Sequence, residues 1–300
     1  MHVRERVVVA GSSGLIGSAL SASLRERGTE VVRLVRREPR SGDERRWDPS
    51  SGELDPAVLE GADAVVCLSG AGVGDQRWTP SYKQLILTSR VETTRTLARA
   101  AASAGVPRMV AGSAIGIYGD RADEVLTEDS APGHGFLTEV VRAWEEAADP
   151  ARDAGVRVAH ARTGLVATRD GGATGPLLRL GRLGLGGPLG RGRQWWPLIS
   201  LDDEVAALVW LLDSDVEGPV NLAPPQPYRQ RDVAREIGRQ LHRPALLPAP
   251  SPALRVFLGE FAGEILSSTR VLPTRLSDGG FAWEHPDLPT LVRWMLREQG

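Results

Sequence analysis

A glycine turn of the form Gly-x-x-Gly-x-x-Gly follows an apolar run and precedes a stretch of helix-forming residues. The turn comprises Gly11, Ser12, Ser13, Gly14, Leu15, Ile16 and Gly17. In a strand–turn–helix unit the first glycine makes a tight turn, the second lets the backbone approach a pyrophosphate, and the third allows close helix packing. The N-terminus of the helix offers free N–H groups and a positive dipole end to phosphates. The pattern predicts a dinucleotide site.

The residues about 20 positions further on indicate which dinucleotide would bind. NAD enzymes place a carboxylate there to bind the ribose 2′-hydroxyl, but here the next β-rich run ends in Arg36 and Arg37. A 2′-phosphate favours the fixed, planar fork of an arginine. We therefore predict NADP(H), with Arg36 the first candidate for the 2′-phosphate and Arg37 the second. The alternative is a solvated pair of surface arginines.

Two further apolar runs end in small or polar residues that fit a cofactor crevice. One run is followed by Leu68, Ser69 and Gly70, which would let the chain lie along the adenosine and its phosphates. The other ends near Ser113, and Tyr118 follows five residues later. This order predicts a hydroxyl, and a phenol, near the nicotinamide. Ser113 as a simple strand-end cap is the alternative.

Composition excludes several classes of protein. The chain has 300 residues, a formal net charge of −2 and 25% charged residues, with no basic tail or arginine stripe that would indicate nucleic acid. We expect no signal peptide, no membrane span and a cytoplasmic location, because no apolar run is long enough and Cys67 is the single cysteine. The five histidines include no close pair, so we predict no metal site.

The elements that would position these residues alternate between strands and helices. Strands are predicted at 7–10, 30–35, 62–69, 108–112 and 156–162, and the longer helices at 81–104 and 136–149. This alternation predicts an α/β fold, a Rossmann-type doubly wound parallel sheet with ligands at the carboxyl ends of its strands.

The last third of the chain breaks this alternation. The glycine-rich stretch 171–193 is interpreted as a flexible connection, and helices are predicted at 202–213, 230–241 and 253–268. We therefore predict an NADP-binding domain over 1–170, with strand contributions from 195–225, and a smaller, mostly helical substrate-pocket and cap region over 171–300.

Together these motifs resemble the extended short-chain dehydrogenase/reductase superfamily, and in particular its epimerase-family proteins that carry their own small C-terminal domain. The resemblance is carried by the glycine turn, the Leu68-Ser69-Gly70 turn, Trp47-Asp48-Pro49, Ser89-Arg90 and Arg162-Thr163-Gly164, and it extends to Arg270-Val-Leu-Pro273. It implies that Arg90 also binds NADP(H), although Arg90 as an ordinary helix-face charge is the alternative. By analogy it implies a possible homodimer through helices 81–104 and 136–149.

The Tyr-x-x-x-Lys pair with which most of this superfamily transfers a proton is missing. Lys83 is the single lysine, and none of the three tyrosines has a lysine four residues later. By resemblance, Phe136 and Val140 occupy the positions of the pair. An enzyme would have to use Ser113, Tyr118 or a carboxylate such as Glu139 as its acid–base group.

Two functional hypotheses follow. The first is an NADP(H)-dependent oxidoreductase or epimerase/dehydratase-like enzyme acting on a small-molecule substrate of unknown class. The second is a non-catalytic NADP(H)-binding regulatory or sensor protein. The glycines of 183–190 beside Trp195 and Trp196 predict either a substrate lid with an aromatic wall or a loop whose tryptophans anchor the cap.

Overall fold

The computed structural model of the protein describes residues 5–168 and 174–297. The boundary predicted at residues 170 and 171, and residues 171–173 of the glycine-rich stretch, lie outside the described residues. The strands are β1 (Arg6–Ala10), β2 (Glu30–Val35), β3 (Glu44–Arg46), β4 (Ala64–Cys67), β5 (Arg108–Ala114), β6 (Val125–Leu126), β7 (Arg157–Thr163), β8 (Leu165–Ala167), β9 (Trp195–Trp196), β10 (Leu198–Ser200), β11 (Gly218–Leu222), β12 (Tyr228–Arg229) and β13 (Arg270–Val271).

The helices lie between these strands and after them. They are α1 (Leu15–Glu26), α2 (Pro80–Ala104), α3 (Phe136–Glu146), α4 (Asp149–Asp153), α5 (Gly175–Arg182), α6 (Leu201–Asp213), α7 (Gln230–Gln240), α8 (Ser251–Leu258), α9 (Phe261–Leu266), α10 (Thr274–Asp278) and α11 (Leu288–Leu296). Two 3₁₀ turns, Pro56–Leu59 and Ile115–Tyr118, complete the regular structure of the described residues. None of the described helices is both long and apolar enough to cross a membrane.

The central sheet has seven strands in the order β11-β7-β5-β4-β1-β2-β3, and every neighbouring pair is parallel. The chain moves outward in one direction from β1 through β2 and β3, and in the other direction from β4 onward. The strand order therefore reverses between β1 and β4, which is where doubly wound sheets bind their ligands. The predicted Rossmann-type α/β fold is confirmed.

Helices cover both faces of this sheet. On one face α1 and α6 bury Leu20, Leu208 and Leu211 against the strands, and on the other α2 and α4 bury Leu97 and Ala151. Because both faces are buried, the central strands β1 and β4 are nearly continuous apolar runs rather than alternating ones. This packing keeps the carboxyl ends of β1, β4, β5 and β7 together at one edge.

The C-terminal region has an apolar core of its own. Helices α5, α7 and α11 contribute Leu178, Ile237 and Met295, which are all buried in this core. Two short pairings, β8 with β10 and β6 with β13, join this region to the segments that follow β7 and β5, and a third, β9 with β12, lies within the region itself. Its helices therefore pack above the cofactor edge as a cap.

Some predicted elements differ from the structure in ways that have clear causes. The helix predicted at 253–268 is two helices, α8 and α9, because Gly259 between them has φ +63° and ψ −139°, which no helix accommodates. The connection predicted at 171–193 contains α5, whose Leu178 is buried in the cap core despite the surrounding glycines. Strand β3 was not predicted, because its three residues Glu44–Arg46 are all charged.

Candidate cofactor and active site

The glycine turn is as tight as its sequence predicts. Gly11 has φ +85°, and a Cβ placed there would lie 2.6 Å from the carbonyl carbon of Leu68. A Cβ on Gly17 would lie 2.1 Å from the carbonyl oxygen of Gly11. At Gly14 the nearest protein atom to such a Cβ is 3.4 Å away. Two glycines are therefore required by the protein itself, whereas Gly14 leaves space over the turn.

The difference between Gly17 and Gly14 predicts that a substitution at Gly17 affects folding and a substitution at Gly14 affects cofactor binding. We expect Gly17→Ala to destabilise the protein by about 1–3 kcal/mol, because the new methyl group overlaps backbone that cannot move freely. Gly14→Ala should change stability by less than about 1 kcal/mol, yet weaken dinucleotide binding by filling the space over the turn. Urea unfolding and NADPH titration of both variants measure the two effects. Equal loss of stability in the two variants would contradict this assignment.

The N-terminus of α1 has the donors that a pyrophosphate requires. The first backbone hydrogen bond of the helix runs from the Ser18 N–H to the Gly14 carbonyl, at 2.9 Å, so the three preceding N–H groups have no helical acceptor. The first turn contains no acidic residue that would neutralise the positive end of the helix dipole. Together with the open position at Gly14, these donors fit a dinucleotide phosphate.

The two arginines after β2 differ in their surroundings. Arg37 is held in a fork by the buried carboxylate of Glu44 on β3, with Nη1–Oε2 and Nη2–Oε1 distances of 2.8 and 2.7 Å. The hydrogen bonds from Arg37, followed by the Arg40 backbone N–H, hold the pKa of Glu44 well below its usual range. Arg36 is exposed and has no polar partner among the described residues. Arg36 is therefore the arginine that is free to bind a 2′-phosphate.

The turn after β4 packs directly on Arg90. A Cβ at Gly70 would lie 3.1 Å from Cγ and Cζ of Arg90, so the absence of a side chain makes room for the guanidinium. Arg90 Nη1 donates to the carbonyls of Ala71 and Ile86 at 2.9 and 3.0 Å, and its Cζ lies 5.0 Å from the centroid of the Trp144 ring.

Arg90 is a half-buried cation that has no anionic partner among the described residues. No carboxylate lies within ion-pair distance of it in the described parts of the chain, and burial lowers its pKa to about 10. A desolvated cation is stabilised by a nearby negative charge. Arg90 lies beside the turn after β4, and its unpaired charge there suits the binding of an anionic ligand.

Ser113, at the end of β5, donates a hydrogen bond to a buried carboxylate. Its Oγ lies 2.6 Å from Oε1 of Glu145 on α3. Arg162 on β7 binds the same carboxylate through two hydrogen bonds, Nε–Oε1 at 2.8 Å and Nη2–Oε2 at 3.0 Å. Burial by itself would raise the pKa of Glu145, but the hydrogen bonds and charge of Arg162 outweigh burial and lower it. Glu145 is thus ionised at neutral pH and able to accept a proton from Ser113.

Tyr118 is fully buried next to Arg162. Its hydroxyl donates to Oδ1 of Asn221 at 2.8 Å and accepts from Nη1 of Arg162 at 2.9 Å. Burial raises the pKa of the Tyr118 phenol, although the charge of Arg162 acts in the opposite direction. Tyr118 therefore has both sides of its hydroxyl engaged and acts on the site by holding Arg162 in place.

An aromatic cluster surrounds Phe136 at the start of α3. The Phe136 ring meets Trp78 edge-on with centroids 5.0 Å apart, and Phe261 of the cap lies 5.7 Å from Trp78. Lys83 lies 5.2 Å from the Phe136 ring centroid and pairs with Glu260 of the cap. The cluster brings no hydroxyl to this position, and it joins the cap to the N-terminus of α2.

The carboxylate beside Ser113 is not the one suggested by the sequence. Glu139 is exposed on α3, whereas Glu145, two turns further along the helix, reaches Ser113 and Arg162. The one residue whose type could have indicated a buried carboxylate is Arg162, because a charged residue in a buried strand requires a partner. Its partner could not be identified without the register that sets Arg162 opposite Ser113.

A second buried carboxyl lies on the other face of β7. Glu204, in the first turn of α6, accepts a hydrogen bond from Thr163 Oγ1 at 2.7 Å, and its Oε2 has no partner. Burial raises the pKa of Glu204 to about 8. Glu204, although it lies in the acidic first turn of α6, is therefore neutral at neutral pH and adds no negative charge to that helix N-terminus.

The elevated pKa of Glu204 predicts a pH-dependent stability. Because its folded-state pKa exceeds its unfolded value, its contribution is fully present below about pH 4.5 and falls by roughly 1.4 kcal/mol per pH unit towards pH 8. Glu204→Gln keeps the acceptor for Thr163 without the ionisable group. We expect the variant to gain stability relative to the wild type as pH rises from 5 to 8, measured by urea unfolding. Parallel pH profiles would show that Glu204 does not titrate in this range.

Comparison with known proteins supports the class that the sheet and its glycine turn define. Residues 7–223 match the NAD dependent epimerase/dehydratase family, and residues 249–295 match a domain of unknown function, DUF1731. The chain belongs to the NAD dependent epimerase/dehydratase family, within the extended short-chain dehydrogenases/reductases.

Its relatives include proteins of similar length and architecture. Epimerase family protein Mb2239 of Mycobacterium bovis is 43% identical over 281 residues, covering 93% of each chain. The crystal structure of human epimerase family protein SDR39U1 (isoform 2), determined with NADPH, is 31% identical, covers 97% of this chain and 99% of that one, and superposes with a TM-score of 0.87.

A third similar protein is longer than this chain. The nucleoside-diphosphate sugar epimerase of Corynebacterium glutamicum is 34% identical, with a TM-score of 0.80. The match covers 98% of this chain and 58% of that protein. Residues 249–295, which match DUF1731, comprise helices α8 to α11 of the cap.

Proposed function

We propose that this protein binds NADP(H) and is an oxidoreductase or epimerase/dehydratase-like enzyme with a non-standard acid–base group. The cofactor assignment is supported by the turn from Gly11 to Gly17, the unpaired Arg36 and the NADPH found with the human relative. The glycine turn and the N-terminus of α1 would hold the pyrophosphate. Arg36 would bind the 2′-phosphate, and Arg90 would add a positive charge near the β4 turn.

The observation that carries the enzymatic proposal is the hydrogen bond from Ser113 to the ionised Glu145. Ser113 ends the strand next to β4, so it lies at the same sheet edge as the cofactor turn. When bound, NADP(H) supplies or accepts a hydride. The chain itself would move the accompanying proton. When the cofactor accepts a hydride, Ser113 Oγ would take the proton of the substrate hydroxyl and pass its own proton to the ionised Glu145. When the cofactor supplies a hydride, the proton would follow the same path in reverse, from a Glu145 protonated by solvent through Ser113 to the substrate oxygen.

Arg162 and Tyr118 have supporting roles in this proposal. Arg162 keeps Glu145 ionised, and the Tyr118 hydroxyl orients Arg162 through a hydrogen bond of 2.9 Å. Phe136 and Trp78 would provide an apolar wall beside the reacting group, in the place of the absent phenol. The substrate remains a small molecule of unassigned class.

We test the proposal by screening carbonyl compounds and nucleotide-sugars with NADPH absorbance as the readout. We expect turnover that Ser113→Ala reduces by about 100-fold or more, as for loss of a proton-transfer group, while NADPH affinity stays unchanged. Gln84→Ala, an exposed change on α2, serves as the control.

The rival is a non-catalytic NADP(H)-binding sensor. The burial of Ser113, which is 3% exposed, and the full burial of Tyr118 favour it, because a substrate could contact these side chains only if the residues around them moved. Tight NADPH binding without turnover of any substrate in the screen would support this rival and contradict the enzymatic proposal.

A further inference from the structure

Exposed leucines cluster on one surface of the cap. They come from two segments, the end of α5 with the glycine-rich loop after it, and the loop that connects α7 with α8. We call them the leucine patch, and its members are between 42% and 80% exposed: Leu180, Leu183, Leu185, Leu246 and Leu247. A contiguous exposed apolar patch with a polar rim is typical of an interaction site.

Backbone contacts hold the two segments of the patch side by side. The Ala249 N–H donates to the carbonyl of Pro188 at 2.9 Å, and the Gly190 N–H donates to the carbonyl of Ala249 at 2.8 Å. A Cβ placed on Gly187 would lie 2.0 Å from the carbonyl oxygen of Leu247, so only a glycine allows this approach. The leucines therefore lie on a backbone framework that is paired before any partner binds, which lowers the entropy cost of binding.

A small cavity opens within the leucine patch. Its walls include Leu180, Leu185 and Leu247 of the patch, together with Leu177 of α5 and Ile237 of α7. All the residues that line it belong to α5, α7 and the loops that follow these two helices. None of them comes from the seven-stranded sheet or from the helices that cover it. The cavity is therefore separate from the cofactor edge of the sheet.

The size and chemistry of the cavity indicate what kind of group fits it. Its volume is about 40 Å³, whereas sites for small molecules enclose roughly 300–1,000 Å³. Its lining consists of leucine, isoleucine, alanine, proline and glycine residues, so no side chain in it offers a hydrogen bond. A cavity of this kind accommodates the end of one apolar side chain from a larger partner rather than a whole small molecule.

The segments that carry the patch are positively charged. Stretches 174–193 and 241–259 contain six arginines and no aspartate or glutamate, in a chain whose formal net charge is −2. Arg182 and Arg243 are exposed, and no carboxylate of the described residues lies within ion-pair distance of either. A Cβ on Gly184 would lie 3.9 Å from Cδ of Arg243, so this arginine borders the loop that carries patch leucines. The patch therefore complements a partner surface that is both apolar and negatively charged.

We propose that the leucine patch docks an acidic amphipathic helix of another protein. An apolar side chain of that helix enters the cavity, and carboxylates beside it pair with Arg182 and Arg243. A second copy of this chain, packed patch to patch, would set arginine against arginine, which is repulsive. A flat bilayer surface would leave the cavity unfilled. The proposal depends on neither the cofactor nor the reaction.

The test begins with the selection of binders from a displayed library of randomised helical peptides, with the wild-type protein as bait. We expect the enriched peptides to combine apolar residues at helical spacing with an excess of aspartate and glutamate. Fluorescence anisotropy then measures the affinity of these peptides. The double variant Leu183→Ser/Leu246→Ser should weaken their binding by about tenfold or more, and so should Arg182→Glu/Arg243→Glu. All four side chains are exposed, so we expect both variants to fold.

The matched controls are Leu85→Ser and Arg99→Glu, at exposed positions of α2, which should leave peptide affinity unchanged. Melting temperature and NADPH affinity, measured on each variant, separate misfolding from loss of the docking surface. Failure to enrich acidic peptides, or equal peptide affinity in Leu183→Ser/Leu246→Ser and the wild type, would overturn the proposal. Binding of phosphatidylglycerol vesicles in place of peptides would assign the patch to a lipid surface, and self-association that the leucine substitutions abolish would assign it to a second copy. Either result would also overturn the proposal.

Discussion

Arg162→Met is expected to lower the free energy of unfolding by about 3–5 kcal/mol at neutral pH, because it leaves a buried carboxylate without its cation. The side chains of Arg162 and Glu145 are 8% and 17% exposed and share two hydrogen bonds of 2.8 and 3.0 Å. The substitution also removes the donor to Tyr118. Urea unfolding at pH 7 measures the loss.

The pH dependence of this loss identifies its cause. Glu145 has a lowered folded-state pKa in the wild type, so its stabilising contribution is present above its ordinary pKa of 4.5 and is lost as pH falls through the folded value. In Arg162→Met, burial is opposed only by the smaller effects of His160 and Ser113, so the pKa of Glu145 rises relative to the wild type. The gap between the two proteins should therefore be widest near neutral pH and shrink as pH falls below about 5.

A double variant provides the control. Glu145→Gln in the Arg162→Met background removes the uncompensated charge while keeping an acceptor for Ser113. We expect it to recover most of the lost stability. If the double variant is no more stable than Arg162→Met, lost packing rather than the unpaired charge is responsible.

The second large effect concerns cofactor choice. We expect Arg36→Ala to weaken NADPH binding by about 10- to 150-fold, corresponding to a charge-assisted contact of roughly 1.5–3 kcal/mol, and to leave NADH binding nearly unchanged. The 2′-phosphate is the group that distinguishes the two ligands. Fluorescence titration of both nucleotides measures the two affinities.

Arg37→Ala, a substitution at the neighbouring arginine, is the matched control for Arg36→Ala. Its guanidinium is already occupied by Glu44, so we expect the substitution to affect NADPH much less than Arg36→Ala does. Equal losses of NADPH and NADH in Arg36→Ala would refute the assignment of Arg36 to the 2′-phosphate. A larger effect of Arg37→Ala would move that assignment to Arg37.

The local features of the fold could be predicted from sequence because they depend on neighbours in the chain. The strand–turn–helix unit at Gly11 to Gly17 is set by a run of valines, three glycines and the helix formers that follow. The helix predicted at 81–104 agrees with α2 to within one residue, since Thr79 caps its start and Gly105, with φ +66°, ends it.

The features that were not predicted depend on contacts between distant residues. The Glu145–Arg162 pair forms only when α3 packs beside β7, and the fork around Arg37 requires the short, charged strand β3. Arg36 was predicted ahead of Arg37 as the 2′-phosphate ligand, but the engagement of Arg37 by Glu44 was not predicted, because it depends on the pairing of β3 with β2. The burial that makes Glu204 a neutral acid arises from tertiary packing, which outweighs its position in the acidic first turn of α6.

The central claim is that the protein binds NADP(H). The most direct test is titration of the wild-type protein with NADPH and with NADH under identical conditions, monitored by nucleotide fluorescence. A glycine turn that holds the pyrophosphate and an unpaired Arg36 predict saturable binding of NADPH, at least about tenfold tighter than NADH for one charge-assisted contact. Absence of saturable NADPH binding, or tighter binding of NADH, would contradict the account.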